Sequence, residues 1–400
     1  MLRGLNRHHI RVIEAVASIE SLRLLGIFFI LPVFTIYGEN FSNSGLLIGV
    51  AFGAYGAAMA LFQIPFGIVS DHIGRKKTLI IGMIPFVIGN LMCWHPINIY
   101  ILIAGRFIAG AGAITSVSVA LLQESIPEHR RNIAMAIVGI PVGLVFMVGV
   151  LVGPVISLYL GTSYIFLITA ALGAIAFIPI ASLKETRNPM KNYALKGKRR
   201  RIAAITPSSL KFGAISFVVS ALMFSYFYYL SQFHQQYIPK VSLTTLLLVP
   251  VLVGGFVAVV LSRYADKGKT TQVTVACLSL LLVSVPAVFV LAYLYHNSVM
   301  IVVGSVIFFA GYSVYEIAFP TLVAKHSPRG SYGSNLGVYN VLQFSGQLGG
   351  SLVAGIFIGK YIYGNGPYIT ALIFVIALFL SMGILRDILR RVRSGEEDNL

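Results

Sequence analysis

Four ionisable side chains sit inside otherwise apolar stretches of this 400-residue chain: Glu20, Arg23, Arg106 and Glu316. A carboxylate sealed from water is expensive to ionise, so one that passes between dry and wet settings can take up and release a proton. Glu20 stands three residues before Arg23, the spacing of an ion pair on one helix face. It is therefore open between a proton carrier and a salt bridge. Glu316 stands four residues after Tyr312 and is open between a proton carrier and a hydrogen bond that holds helix packing. An arginine at the depth of Arg106 costs roughly 2.5–3.5 kcal/mol even on the insertion scale, so it calls for a partner. The expected ones are Glu20 or carbonyls of the first apolar stretch, with structural anchoring and a part in proton coupling both open.

These residues need elements that hold them in hydrocarbon, and the composition supplies them. Only 11% of residues are charged and 57% are hydrophobic, a balance foreign to a soluble domain. Residues 132–183 contain no Asp, Glu, Lys or Arg; they fit two spans of about 20–25 residues joined by a tight turn. Along the whole chain the pattern predicts an all-α integral membrane protein with twelve transmembrane helices, over 12–38, 43–70, 78–95, 98–124, 131–159, 163–184, 209–235, 241–264, 271–295, 298–324, 330–360 and 366–390. They form two pseudo-symmetric six-helix halves, 1–184 and 209–400, around a polar central loop at 185–208. Each half carries an acidic-then-basic loop after its second helix, Asp71 to Lys77 and Asp266 to Lys269. Internal repeats flanking a midplane site are typical of secondary transporters.

Twenty-six of the thirty Lys and Arg residues fall at the termini and in every second loop, against Lys240 and Lys360 on the other side. The positive-inside rule then places both termini in the cytoplasm of a cell that holds this protein in its plasma or inner membrane. The net charge of +17 is spread by topology rather than gathered in one groove, so no nucleic-acid partner is expected. The run KGKRRR, Lys196–Arg201, is a solvated, topology-setting loop or a contact for anionic lipid headgroups. The eight histidines are scattered and Cys93 and Cys277 lie a bilayer's depth apart; no disulfide, metal site, cofactor or enzymatic constellation is expected.

Three further groups of residues could line a cavity. Asn340, Gln343 and Gln347 form one polar stripe on a glycine-rich helix; Tyr226, Tyr229, Gln232 and Phe233 share a face of the seventh; Tyr55 and Gln63 lie on the second. With Tyr312 they suit a weakly polar or amphiphilic organic molecule, or serve only interhelical bonding.

The loop GIVSDHIGRKKTL, Gly67–Leu79, is short, basic and glycine-punctuated. Gly67 removes a side chain where a neighbour approaches and Gly74 allows the chain to reverse. Its Gly-x-x-x-Asp-x-x-Gly-Arg-Lys spacing resembles the signature loop between helices 2 and 3 of the major facilitator superfamily. The resemblance implies a latch at the cytoplasmic gate, in which Asp71 faces the start of helix 11 (Pro328–Asn335) and Arg75 pairs with Glu124. RFIAGAGAI, from Arg106, resembles the superfamily's Arg-x-x-Gln-Gly-x-Gly motif with Ala109 in place of Gln. GVLVGP, Gly149 to Pro154, resembles the antiporters' Gly-x-x-x-Gly-Pro motif, with Ser157 and Leu158 where Gly-Gly would follow. Three blocks, Ser21–Gly38, Phe62–Lys77 and YEIAFPTLVAKHSP with LGVYNVLQFSGQLGGSL, resemble the YajR-type branch of the drug–proton antiporters. Relative to that branch Glu20 is an addition, and an extra C-terminal soluble domain found in some relatives is absent.

The expectation is a secondary active transporter working by alternating access, exporting small organic or amphiphilic compounds against protons as a monomer in the lipid bilayer. An ion-coupled importer or a uniporter shares the fold. A non-transporting membrane enzyme or sensor is the alternative of a different class.

Overall fold

The computed structural model describes residues 6–127, 130–184, 205–264, 269–327, 332–358 and 364–394. Regular structure among them is helical, in twelve successive spans. The first six are α1 (Arg7–Ile30, then Phe34–Glu39), α2 (Gly45–Ile73), α3 (Arg75–Trp94), α4 (Ile99–Ala111, then Thr115–Ser125), α5 (Arg131–Tyr159) and α6 (Thr162–Ile175, then Phe177–Ser182). The second six are α7 (Pro207–Tyr237), α8 (Leu243–Tyr264), α9 (Thr270–Pro286, a π turn at Ala287–Leu291, then Ala292–Tyr295), α10 (Ser298–Lys325), α11 (Tyr332–Phe357) and α12 (Gly366–Ser394). The residues with the repeated loop's Asp266 and the KGKRRR run lie outside the described ones.

Among the described residues ten of these helices are long and apolar enough to cross a membrane. The other two are more polar. α1 holds Glu14, Glu20 and Arg23 along its length, and α11 is diluted by Asn, Gln, Ser and Gly. Large apolar side chains such as Ile178, Phe256, Leu372 and Leu380 stand exposed on the outside of the helices. In water such faces would associate; in a bilayer they are the solvated surface.

Four of the predicted continuous spans are broken, among them the sixth, at Ala176. Pro32 interrupts the first, because its ring removes a backbone donor, and the chain turns between Ile30 and Phe34. The fourth is interrupted between Ala111 and Thr115, where the Gly112 carbonyl accepts from the Ile114 N–H at 2.8 Å instead of a helical partner. Pro286 precedes the π turn in α9. Breaks of this kind leave backbone groups pointing at neighbours instead of along the helix.

The chain divides into two compact units, one of Met1–Phe41 with Ala54–Ala203, the other of Ser42–Gly53 with Ala204–Leu400. In the first, α1 packs against α5 and α6, and α3 against α4 and α6. In the second, α7 packs along α11, and α10 bridges α8 and α9. The opening turns of α2 therefore group with the second unit, where the Gly45 carbonyl accepts from the Tyr228 hydroxyl at 3.2 Å.

Candidate functional site

In the first unit the polar side chains of α1, α2 and α4 meet around Arg23. Its guanidinium pairs with Glu20 at 2.7 Å, donates to Thr115 Oγ1 at 2.5 Å and to Tyr55 Oη at 3.4 Å, and touches Met59 Sδ at 3.7 Å. Tyr55, Met59 and Gln63 recur every four residues and so share one face of α2. Thr115 arrives because the break in α4 restarts the helix there. Glu20 and Arg23 are both buried, and their contact is the ion-pair reading of the sequence.

Arg106 differs from what its sequence context suggests. Among the described contacts Glu20 pairs with Arg23. The Arg106 guanidinium lies over the rings of Phe34, 5.3 Å, and Tyr55, 5.0 Å from the centroids. Each such contact contributes about 0.5–2 kcal/mol, a partial offset to the insertion cost. The break at Pro32 is what swings Phe34 onto this cation, a placement that periodicity could not reveal.

At the loop that joins α2 to α3, Gly74 has φ of 101°, a conformation in which L side chains are strained. The turn it makes folds Arg75 back onto the end of α2 and against α4. Arg75 forms a fork with Glu124, Nε to Oε2 at 3.1 Å and Nη2 to Oε1 at 2.5 Å, and meets Asp71 at 2.6 Å. Its Nη1 also donates to Ser70 Oγ. Lys76 reaches α6, donating to the carbonyls of Ala181 and Leu183 at 2.8 Å each, where a cation satisfies the open acceptors of a helix C-terminus. Ser70 and Lys76 were not singled out by sequence reasoning. Gly67 is roomier than expected: a methyl group there would meet only Ser116 Oγ at 3.8 Å. The partner expected for Asp71 at the start of α11 falls largely on residues 328–331, outside the described ones. Asn335, also in that stretch, is buried and accepts from the Thr206 N–H at 2.9 Å and Ser209 Oγ at 2.7 Å at the start of α7.

On α5, Gly149 and Gly153 lie against the backbone of Phe28 and Phe29 in α1, so the pair seats one helix on the other. Pro154 follows within the same helix.

In the second unit Glu316 is exposed on α10. Its Oε1 accepts from Tyr312 Oη at 2.7 Å and from Gln343 Nε2 of α11 at 3.5 Å, so its described partners are neutral. Asn340, Gln343 and Gln347 are half-buried, as are Tyr312 and Gln232. A buried hydroxyl chain adjoins them: Tyr339 Oη donates to Tyr315 Oη at 2.9 Å, and Tyr315 meets Ser216. Serine and tyrosine spread over three helices carry no local signal that would announce such a chain.

Two candidates for a cavity wall prove to be packing residues. Tyr226 is fully buried, stacked on Phe308 at 4.3 Å with its hydroxyl donated to Ser305 at 2.8 Å. Tyr229 is buried against Phe233 and Phe289. The shared face read from sequence is real, and α9 and α10 cover it. Tyr55 is buried too, committed to Arg23 and Arg106. Among the described residues no cluster of His, Cys, Asp and Glu could hold a metal ion.

A family model described as Major Facilitator Superfamily matches residues 16–351. The chain is 33% identical over 380 residues to the inner membrane transport protein YajR of Escherichia coli K12, covering 92% of this chain and 82% of that protein. It is 30% identical over 141 residues to the multidrug resistance protein MdtL of Salmonella dublin, covering 34% of this chain and 36% of that one. Among solved structures, a D-xylose–proton symporter superimposes with a TM-score of 0.72 at 14% identity, over 93% of this chain and 97% of that one. The human organic anion transporter MFSD10 gives 0.69 at 17% identity, over 95% and 100%. Both likenesses are of fold.

Proposed function

The chain belongs to the Major Facilitator Superfamily and is a multi-pass membrane transporter, and from that premise we propose that it exports small organic compounds in exchange for protons by alternating access. The observation that carries this reading is Glu316, an exposed carboxylate within a membrane-crossing helix whose partners Tyr312 and Gln343 are neutral. With neutral described partners it can exchange its proton when access changes. Glu20 is the contrasting case. Its pairing with buried Arg23 supports an anchoring role.

Export rather than uptake is supported by the Gly149–Pro154 run seated on α1, and by a relative named for multidrug resistance. The Asp71–Arg75–Glu124 cluster is the half of a gate that this reading would latch on the start of α11. The distribution of cations supports a plasma- or inner-membrane protein with both termini in the cytoplasm, the basic loop at 196–201 near anionic headgroups.

Reconstitution into proteoliposomes tests the coupling. Under an imposed pH gradient, a panel of organic cations, anions, amphiphiles and sugars should include a compound whose efflux follows the gradient. Glu316→Gln should insert normally and lose that dependence. Wild-type coupling in the variant would remove Glu316 as the carrier.

A further inference from the structure

The unanswered polar groups of the first unit gather between α1, α2 and α4. Arg106 is 1% exposed; its described contacts are the rings of Phe34 and Tyr55, and its Nε has no hydrogen-bond partner. A guanidinium has five donors and no acceptor. Aromatic faces answer its charge but accept none of those donors in the plane where they point. Gln63, two turns beyond Tyr55 on α2, is equally buried with neither amide atom bonded.

The charge is as incomplete as the bonding. Glu20 is the one carboxylate described in this cluster; its Oε2 pairs with Arg23, which also has Thr115 and Tyr55, and its Oε1 is buried without a hydrogen-bond partner. Two cations face one anion. A buried guanidinium without a counterion is costly, and the group that would answer Arg106 must supply both acceptors and negative charge. Carboxylate and sulfonate do both, in a geometry that matches the fork. Phe34 and Tyr55 beside it suit the apolar body of an organic acid more than a hydrated inorganic ion.

We propose that Arg106 is an anion-binding residue, and that the solute this transporter carries presents a carboxylate or sulfonate group to it. This rests on the reading of the chain as a carrier of organic solutes and names the class within that reading: amphiphilic organic anions. Phe34 and Tyr55, which cover Arg106 here, would part to admit the solute while Arg106 takes the charge.

The test reads binding alone, with no gradient and no flux. Purified full-length protein in detergent is titrated with benzoate and benzenesulfonate, with benzamide as the neutral counterpart of benzoate and with sodium chloride as the inorganic anion, and its thermal midpoint is followed. Saturable stabilisation by the two organic anions, absent with benzamide and with chloride at the same concentrations, is the expected result. Arg106→Gln should weaken the apparent affinity for benzoate about tenfold or more, the loss that accompanies removal of a charged hydrogen-bond partner. If that variant does not survive purification, Arg106→Lys carries the same test. It keeps the charge, lacks the fork, and should weaken benzoate severalfold. Benzamide acting as well as benzoate, chloride acting as well as benzoate, no response to either organic anion, or unchanged affinity in the variants would each overturn the proposal. Benzoate binding without gradient-driven flux would sink only the coupling reading. Flux coupled to protons with no preference for anions would sink only this one.

Discussion

Arg75 and Arg106 show how differently one residue type can be held in the same unit. Arg75 lies where chain ends and carboxylates are at hand, and it takes Glu124, Asp71 and Ser70. Arg106 has aromatic rings as its described contacts. Removing Glu124 would leave a nearly buried guanidinium with a single carboxylate. Breaking a fully buried pair costs several kcal/mol, but Glu124 is a third exposed, at 34%, so screening lowers the loss to about 1–2 kcal/mol. Glu124→Ala should lower the thermal midpoint in detergent, and Glu124→Gln should lower it less. Equal midpoints for all three proteins would mean that Asp71 suffices. The Arg75–Glu124 pair was legible in the sequence as what the resemblance to the superfamily's signature loop implies. The partners of Arg106 were not, since any of many aromatic side chains could have filled that place.

At the scale of elements, α5 offers a controlled comparison within one helix. Gly149 and Gly153 are pressed against α1, whereas Gly139 and Gly143 have open space where a side chain would stand. Gly153→Val has to push against the Phe29 backbone, which cannot yield as a flexible side chain would; overpacking of this sort costs about 1–3 kcal/mol. Gly139→Ala meets no obstacle and should be neutral or gain up to about 1 kcal/mol from helix propensity. Thermal midpoints of the two variants should move apart, and a Gly153→Val protein as stable as wild type would refute the close seating. The breaks in α1 and α4 belong to this scale as well. Each converts a uniform apolar rod into two pieces, and each delivers a residue to the polar cluster, Phe34 from one and Thr115 from the other. Pro32 advertised the first break. Gly112 lies in a run of small residues that reads as ordinary helix, so the second was invisible until packing selected it.

For the whole molecule the predictions concern side and movement. Cysteines introduced in the 185–208 loop should resist an impermeant maleimide in intact cells, and one beside Lys240 should react; the reverse pattern would invert the topology. On the proposed latch, Asp71→Asn should change the accessibility of cysteines placed at the mouth near Arg75. Unchanged labelling would leave Asp71 with Arg75 as its whole role.

The chain's composition and spacing determined that it is an all-α membrane protein and which loop resembles the superfamily's signature. Those properties are local or additive: twenty apolar residues are a span wherever they occur, and a loop motif needs no distant partner to be recognised. The tertiary structure alone decided which of the four embedded charges are paired. Glu20 and Arg23 sit one turn apart and found each other, but Glu316 meets Gln343 across 27 positions of sequence, and Arg106 lies on a ring 72 positions before it. Such contacts follow from how helices seat on glycines and bend at breaks, and a charge in hydrocarbon settles on whatever acceptor that packing brings within reach.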